Sequence, residues 1–150
     1  MKILALEFSS PRRSVAVAVE GVTRGTAAEA GGRTTHAFAM IDSALAQAGW
    51  QREEIDCLAV GTGPGSYAGI RIAIAIAQGW QIARGVKLLG ISSAEAVAAR
   101  AGQSGRTNVH IGLDAQRMNS TWRTTMPPSS RPRDWWNLFD SGRLQRSRRS

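Results

Sequence analysis

Gly61-Thr62-Gly63-Pro64-Gly65-Ser66-Tyr67-Ala68-Gly69-Ile70-Arg71 lies between a short apolar run, Ile55 to Val60, and a long segment that reaches Arg84. How that segment is read decides the fold. Ile70, Ile72, Ile74 and Ile76 recur at every second residue, as in a strand. Its length, its Ala and Gln content and the absence of turn residues before Gly79 favour a helix instead. As a helix it places Gly69, Ala73 and Ala77 on one small-residue stripe. Ile72, Ile76 and Trp80, with Ile70 and Ile74, then give broad apolar cover, and burial on more than one side is expected.

Working outward, Ile55 to Val60 reads as a buried strand containing Cys57, and Lys87 to Ile91 as another. Ser92-Ser93 caps a further helix with Glu95 in its first turn, and Val109 to Leu113 makes a last strand ending at Asp114. Towards the N-terminus, Ile3-Leu4-Ala5-Leu6 is a central-strand run. Val15, Val17 and Val19 alternate with Ala16, Ala18 and Glu20 as a second strand, and Gly21 turns the chain into a weaker third, Val22 to Ala28. From about Thr35, Ala37, Phe38, Ile41, Ala44, Leu45 and Ala48 follow helical spacing up to Gly49. The order is strand, strand, strand, helix, strand, helix, strand, helix, strand. It predicts an α/β fold with a mixed five- to six-stranded sheet and helices on its faces, an RNase H-like pattern.

The chain has 150 residues and a formal net charge of +8, which invites a nucleic-acid reading. The charge is unevenly spread. Residues 1–118 carry twelve Lys+Arg against nine Asp+Glu, whereas residues 119–150 carry seven Arg against two Asp. The same boundary brings in Ser129-Ser130-Arg131-Pro132-Arg133, Trp135-Trp136 and Arg146-Ser147-Arg148-Arg149-Ser150. Two units are therefore expected, a lobe over 1–118 and a disordered basic tail over 119–150. No apolar run approaches the roughly 20 residues that cross a bilayer, and Glu7 comes too early for a secretory leader. With Cys57 the only cysteine, a cytoplasmic location is expected.

Chemistry-bearing residues are sparse. The glycine loop admits a phosphate-cradle reading through Gly63, Gly65 and Ser66, with Ser66 capping a helix whose amides attract anions. It equally admits a tight turn whose glycines relieve crowding; without a following Gly-Lys-Ser/Thr it is no Walker loop. His36 and His110 lie far apart and form no zinc pattern, so no metal site is expected. Cys57 reads as a small core residue, and Ser66 has no base near it in sequence. Glu7 and Asp114 both end strands, where carboxylates can reach a crevice or simply be solvated.

The glycine loop, together with Met1-Lys2-Ile3-Leu4-Ala5-Leu6-Glu7-Phe8-Ser9, Met40-Ile41-Asp42, Gly90-Ile91-Ser92-Ser93-Ala94-Glu95-Ala96 and Leu113-Asp114-Ala115, resembles the TsaB family. That family serves tRNA threonylcarbamoyladenosine synthesis and was formerly called glycoprotease-like. The resemblance implies one lobe of the actin/sugar-kinase ATPase superfamily, truncated after about residue 118 with its second lobe missing. It also implies a non-catalytic subunit that pairs with a TsaD-like transferase, with a TsaE-like ATPase joining through the complex, or that pairs with a second copy. Transfer RNA would be engaged indirectly. The implied interface is Gly69, Ala73, Ile76, Ala77 and Trp80; no cofactor of its own is implied, only ATP or ADP bound with the partner. The chain departs from the family's Asp-Thr-Ser at Glu7-Phe8-Ser9, and Gln116 interrupts Asp-Ala-Arg.

After Met118 the resemblance stops. One codon path for Ser120 to Pro127, TCT ACG TGG CGC ACT ACG ATG CCG, reads Tyr-Val-Ala-His-Tyr-Asp-Ala two bases later, a plausible strand of this family. Residues 119–150 are therefore expected to be a shifted reading frame. Two alternatives are a small glycine-loop ATPase or peptidase, and a basic RNA-binding module in which Trp122, Trp135 and Trp136 stack on bases beside the arginines.

Overall fold

A computed structural model describes the backbone of residues 1–30, 36–103, 108–114 and 119–125, and the side chains up to residue 100 within these. Strands β1 (Lys2–Glu7), β2 (Arg12–Val19) and β3 (Val22–Ala30) form an antiparallel meander. Helix α1 (Ala37–Ala48) leads to β4 (Cys57–Gly61), helix α2 (Tyr67–Arg84) to β5 (Lys87–Ile91), and α3 (Ser93–Gln103) follows. The sheet order is β3-β2-β1-β4-β5, with β4 parallel to both β1 and β5.

Local chemistry sets these boundaries. Glu20 (φ 50°) and Gly21 (φ 77°) both lie in the left-handed region, as a two-residue hairpin turn matched to strand twist requires. The turn sets Val19 opposite Val22 in the β2–β3 pair, while β1 pairs with β2 so that Leu4 faces Val17 and Leu6 faces Val15. Helix α1 ends at Gly49, where the amides of Gly49 and Trp50 close on Ala46 and Leu45 carbonyls at 3.1 and 3.0 Å. The segment 67–84 is a helix, as its length predicts. Ser66 Oγ accepts from the Gly69 amide at 3.3 Å at one end, and Gly85 (φ 68°) stops the other.

Strand alternation gives the sheet two unlike faces. Leu4, Leu6, Val15, Val17, Leu58 and Val60 point to one face, where they are buried with Ile41, Ala44 and Leu45 of α1 and Ala73 and Ala77 of α2. Ile3, Ala5, Ala16 and Ala18 point to the other and are only half-buried. There α3 begins, its Ser93 hydroxyl bonded to Glu7. Cys57 and Ala59 share that second face and are buried.

Strand β6 (Asn108–Asp114) departs from expectation. It lies outside the five-stranded sheet and pairs antiparallel with β7 (Asn119–Thr125), Asp114 opposite Asn119. Regular structure thus continues seven residues beyond the compositional boundary at 118. A long two-stranded ladder gives β6 a partner nearer in sequence than any strand of the large sheet. The expected disorder of the remaining tail, 126–150, falls outside the described residues.

The closest packing is glycine on backbone. A Cβ on Gly69 would stand 1.9 Å from the Phe8 carbonyl oxygen, whereas one on Gly79 in the same helix meets nothing within 4 Å. Gly69→Ala is therefore expected to destabilise the chain by about 2–3 kcal/mol through overpacking against backbone. Gly79→Ala should stabilise it by about 1 kcal/mol through helix propensity. Urea unfolding of the two variants checks both signs. Burial raises the Cys57 thiol pKa above its ordinary value. The folded thiol then holds its proton longer than the unfolded one, so its contribution to stability is full below about pH 9 and is lost as pH climbs past that range. Native-state labelling by a thiol reagent at pH 8 should accordingly be much slower than in urea.

Candidate docking face and glycine loop

The glycine loop folds back onto the end of β1. A Cβ on Gly65 would come within 2.1 Å of the Ser9 carbonyl oxygen, and one on Gly61 within 2.0 Å of Glu7 Oε2. Ser66 N donates to Ser9 O at 2.6 Å, and Ser93 N donates to Gly63 O at 3.0 Å. Gly63 takes a left-handed φ of 82°. Of the two readings of the loop, the crowded turn accounts for each of these positions. The amide of Ser66 and its hydroxyl are already engaged within the chain, at Ser9 and Gly69 respectively. The phosphate cradle predicted at Gly63, Gly65 and Ser66 gains no support from this geometry.

Beside the loop sits a polar knot. Glu7 Oε1 accepts from the Ser9 amide at 2.7 Å and from the Ser9 hydroxyl, while Glu7 Oε2 accepts from Ser93 Oγ at 3.2 Å. The two serine hydroxyls are 2.9 Å apart. This carboxylate ties the end of β1 to the first residue of α3, with Gly61 making room for it. Among the described residues no imidazole completes a nucleophilic pair at this knot: His36 lies at Glu29, with Nδ1 3.2 Å from its carboxylate. Among the described residues, no three His, Cys, Asp or Glu side chains gather closely enough to hold a metal ion.

The long helix carries the other candidate surface. Gly69, Ala73 and Ala77 are buried against the chain's own sheet, and Ile76 and Trp80 pack partly on the same core. This corrects the interface predicted from the small-residue stripe. A Gly/Ala stripe permits close approach to any backbone, and here the β1 and β4 strands occupy it. Helix α2 also buries one side rather than several. Its outer side presents Tyr67, Arg71, Ile74, Gln78 and Ile82, all exposed, with Tyr67 74% and Ile82 87% accessible. These positions recur at intervals of three and four residues and so form one stripe roughly opposite the buried one. The Arg71 guanidinium stacks 5.3 Å from the Tyr67 ring centroid.

Two parts of this arrangement were missed in the sequence. The tie between Glu7, Ser9 and Ser93 joins residues more than eighty positions apart, and no local pattern announces it. The outer stripe was visible as apolar residues at helical spacing, but the neighbouring small stripe drew the reading. Glu7 and Asp114, both noted as strand ends, belong to different sheets.

The model of the family described as TsaD: tRNA N6-adenosine threonylcarbamoyltransferase matches residues 32–125. The chain belongs to this family. Two curated relatives of this family member are called tRNA threonylcarbamoyladenosine biosynthesis protein TsaB. That of Haemophilus influenzae is 34% identical over 124 residues, covering 81% of this chain and 52% of the relative. That of Escherichia coli is 33% identical over 125 residues, covering 81% and 54%. The chain thus spans about half the length of the curated relatives it matches. Two solved structures from Pseudomonas aeruginosa, one described as YeaZ and one as an uncharacterized protein with similarity to peptidase YeaZ, share the fold. Both superpose with a TM-score of 0.71 at 32% identity, covering 81% of this chain and 58% and 57% of theirs. The resemblance to TsaB and the RNase H-like α/β lobe are both borne out. Among the described residues, no helix is long and apolar enough to cross a membrane.

In this family member, the carboxylate of Glu7 is expected to contribute to stability rather than to chemistry. Glu7→Gln places an amide NH2 among donors, leaving at least one hydroxyl or amide unpaired. A loss of about 1–3 kcal/mol in urea unfolding is expected. Ser93→Ala, which removes one of the three donors, should lose less.

Proposed function

We propose that the chain works in tRNA threonylcarbamoyladenosine synthesis as a subunit, docking through the outer stripe of α2 onto a TsaD-like transferase. A TsaE-like ATPase then joins through the complex, and tRNA is engaged by the assembly. The observation that carries this reading is the exposed stripe Tyr67, Arg71, Ile74, Gln78 and Ile82 on a helix whose opposite side is fully used in the core. Exposed large apolar residues in line, with an aromatic and an arginine among them, have the composition of an interface centre. Support for the pathway comes from the family match and from two relatives that carry its name. Among the described residues the peptidase reading finds no nucleophile with a base: Ser9 and Ser93 both turn to Glu7.

The docking face separates cleanly from the core in mutagenesis. Ile74→Arg with Ile82→Arg puts two charges on exposed positions, so the urea midpoint should move by the equivalent of less than about 0.5 kcal/mol. Buried against a partner, the same charges should weaken association by about 3 kcal/mol or more, roughly a hundredfold. Ala73→Arg, by contrast, should unfold the lobe. Size-exclusion chromatography with a TsaD-like protein reads the outcome. Undiminished co-elution of the Ile74/Ile82 double variant would sink the assignment of this face, and a self-association lost in that variant would redirect it to a second copy of the chain.

A further inference from the structure

Arg13 is buried, only 8% exposed, on the inner face of β2 that also carries Val15 and Val17. Neither its Nε nor its Nη1 meets an acceptor. A guanidinium cannot shed its proton to escape that environment, and orphaned buried donors in folded proteins usually mark a missing water or ion. The carboxylate nearest in register belongs to Glu29, directly across on β3. That side chain is occupied elsewhere: its oxygens accept from the His36 amide and face His36 Nδ1, each at 3.2 Å.

The start of the neighbouring helix adds positive potential. Helix α1 runs antiparallel to β3. Gln47 near its C-terminus bonds both backbone groups of Thr26, and His36 at its N-cap bonds Glu29. Its first turn therefore lies at the Arg13 end of the sheet, on the face to which Arg13 points. That turn has no acidic residue, and His36 makes no side-chain capping bond. The first turn of α2 packs over Phe8 and Ser9 at the same end of the sheet and also holds no acidic residue. A permanent cation thus sits at the end of the sheet where α1 begins, the positive end of that helix's dipole.

We propose that Arg13 and the uncapped first turn of α1 form a binding site for a small oxyanion of the phosphate class. The guanidinium offers its unpartnered Nε and Nη1 to such a group from two edges of its plane, and the helix amides offer more. The site lies at the start of α1, on the inner side of that helix and away from the outer stripe of α2.

The test uses the full chain and sodium phosphate as probe, with chloride at equal ionic strength as reference and acetate as a carboxylate arm. Phosphate at 20 mM, about twenty times a millimolar Kd, should raise the melting temperature by about 3 °C or more. Acetate should raise it less. Arg13→Leu should melt higher than the unmodified chain in chloride, because the unpaired buried charge is gone, and should lose the phosphate response. An absent phosphate response in the unmodified chain, an equal response in Arg13→Leu, or an equal response to acetate each overturns the assignment. If Arg13→Leu fails to fold, Arg13→Lys takes its place, with 31P line width as the readout. Broadening by the unmodified chain that is lost with the lysine, which keeps the charge but not the fork, supports the site. A 31P line that the unmodified chain leaves sharp overturns it.

Discussion

The contact on which the architecture hangs is backbone on backbone, between the first turn of α2 and the end of β1. Gly65 and Gly69 lie so close to the carbonyls of Ser9 and Phe8 that no Cβ fits between them. This closeness draws the whole helix down onto the sheet, and Ala73 and Ala77 continue the approach along its length. Packing at this distance leaves little room for large side chains beneath the helix. Its isoleucines are therefore displaced to the flanks and the outside, where Ile72, Ile74 and Ile82 stand exposed. The exposed outer stripe is in this sense a by-product of how tightly the inner face is seated.

Much of the fold was legible because its signals are local and mutually consistent. The strand run at Ile3–Leu6, the Val15/Val17/Val19 alternation, Gly21 and Gly49 each read the same way in isolation and in the structure. The alternating isoleucines of 70–76 misled less than they threatened to, since a strand would have exceeded ordinary strand length. What stayed illegible was tertiary. Nothing in the spacing of Gly69, Ala73 and Ala77 distinguishes a foreign helix from the chain's own sheet. Likewise the pairing of β6 with β7 depends on which edge is available, not on the residues Val109 to Leu113 themselves. Arg13 carries no local sign of burial either, and only its place in β2, in alternation with Val15 and Val17, turns it inward.

Each face of the sheet is closed by a different kind of interaction. The face under α1 and α2 is sealed by apolar packing around fully buried Leu4, Leu6, Ile41 and Leu58. The other is secured at one end by hydrogen bonds, where Glu7 gathers Ser9 and Ser93 beneath α3. Apolar packing tolerates small shifts, whereas a carboxylate with three donors fixes orientation. The orientation of α3 relative to β1 is consequently set by Glu7.

Strand β1 is first in the chain yet central in the sheet, with β2 on one side and β4 on the other. Its first neighbour arrives by residue 19, through the short connection between Glu7 and Arg12; its second is complete only at Gly61. While the chain emerges from the ribosome, the meander and α1 can assemble from contacts of short sequence separation. Throughout that interval one side of β1 carries unpaired amides and carbonyls. Such an edge is a template for strand addition by another nascent chain, so the interval before Gly61 clears the exit tunnel is when this protein is most exposed to misassembly.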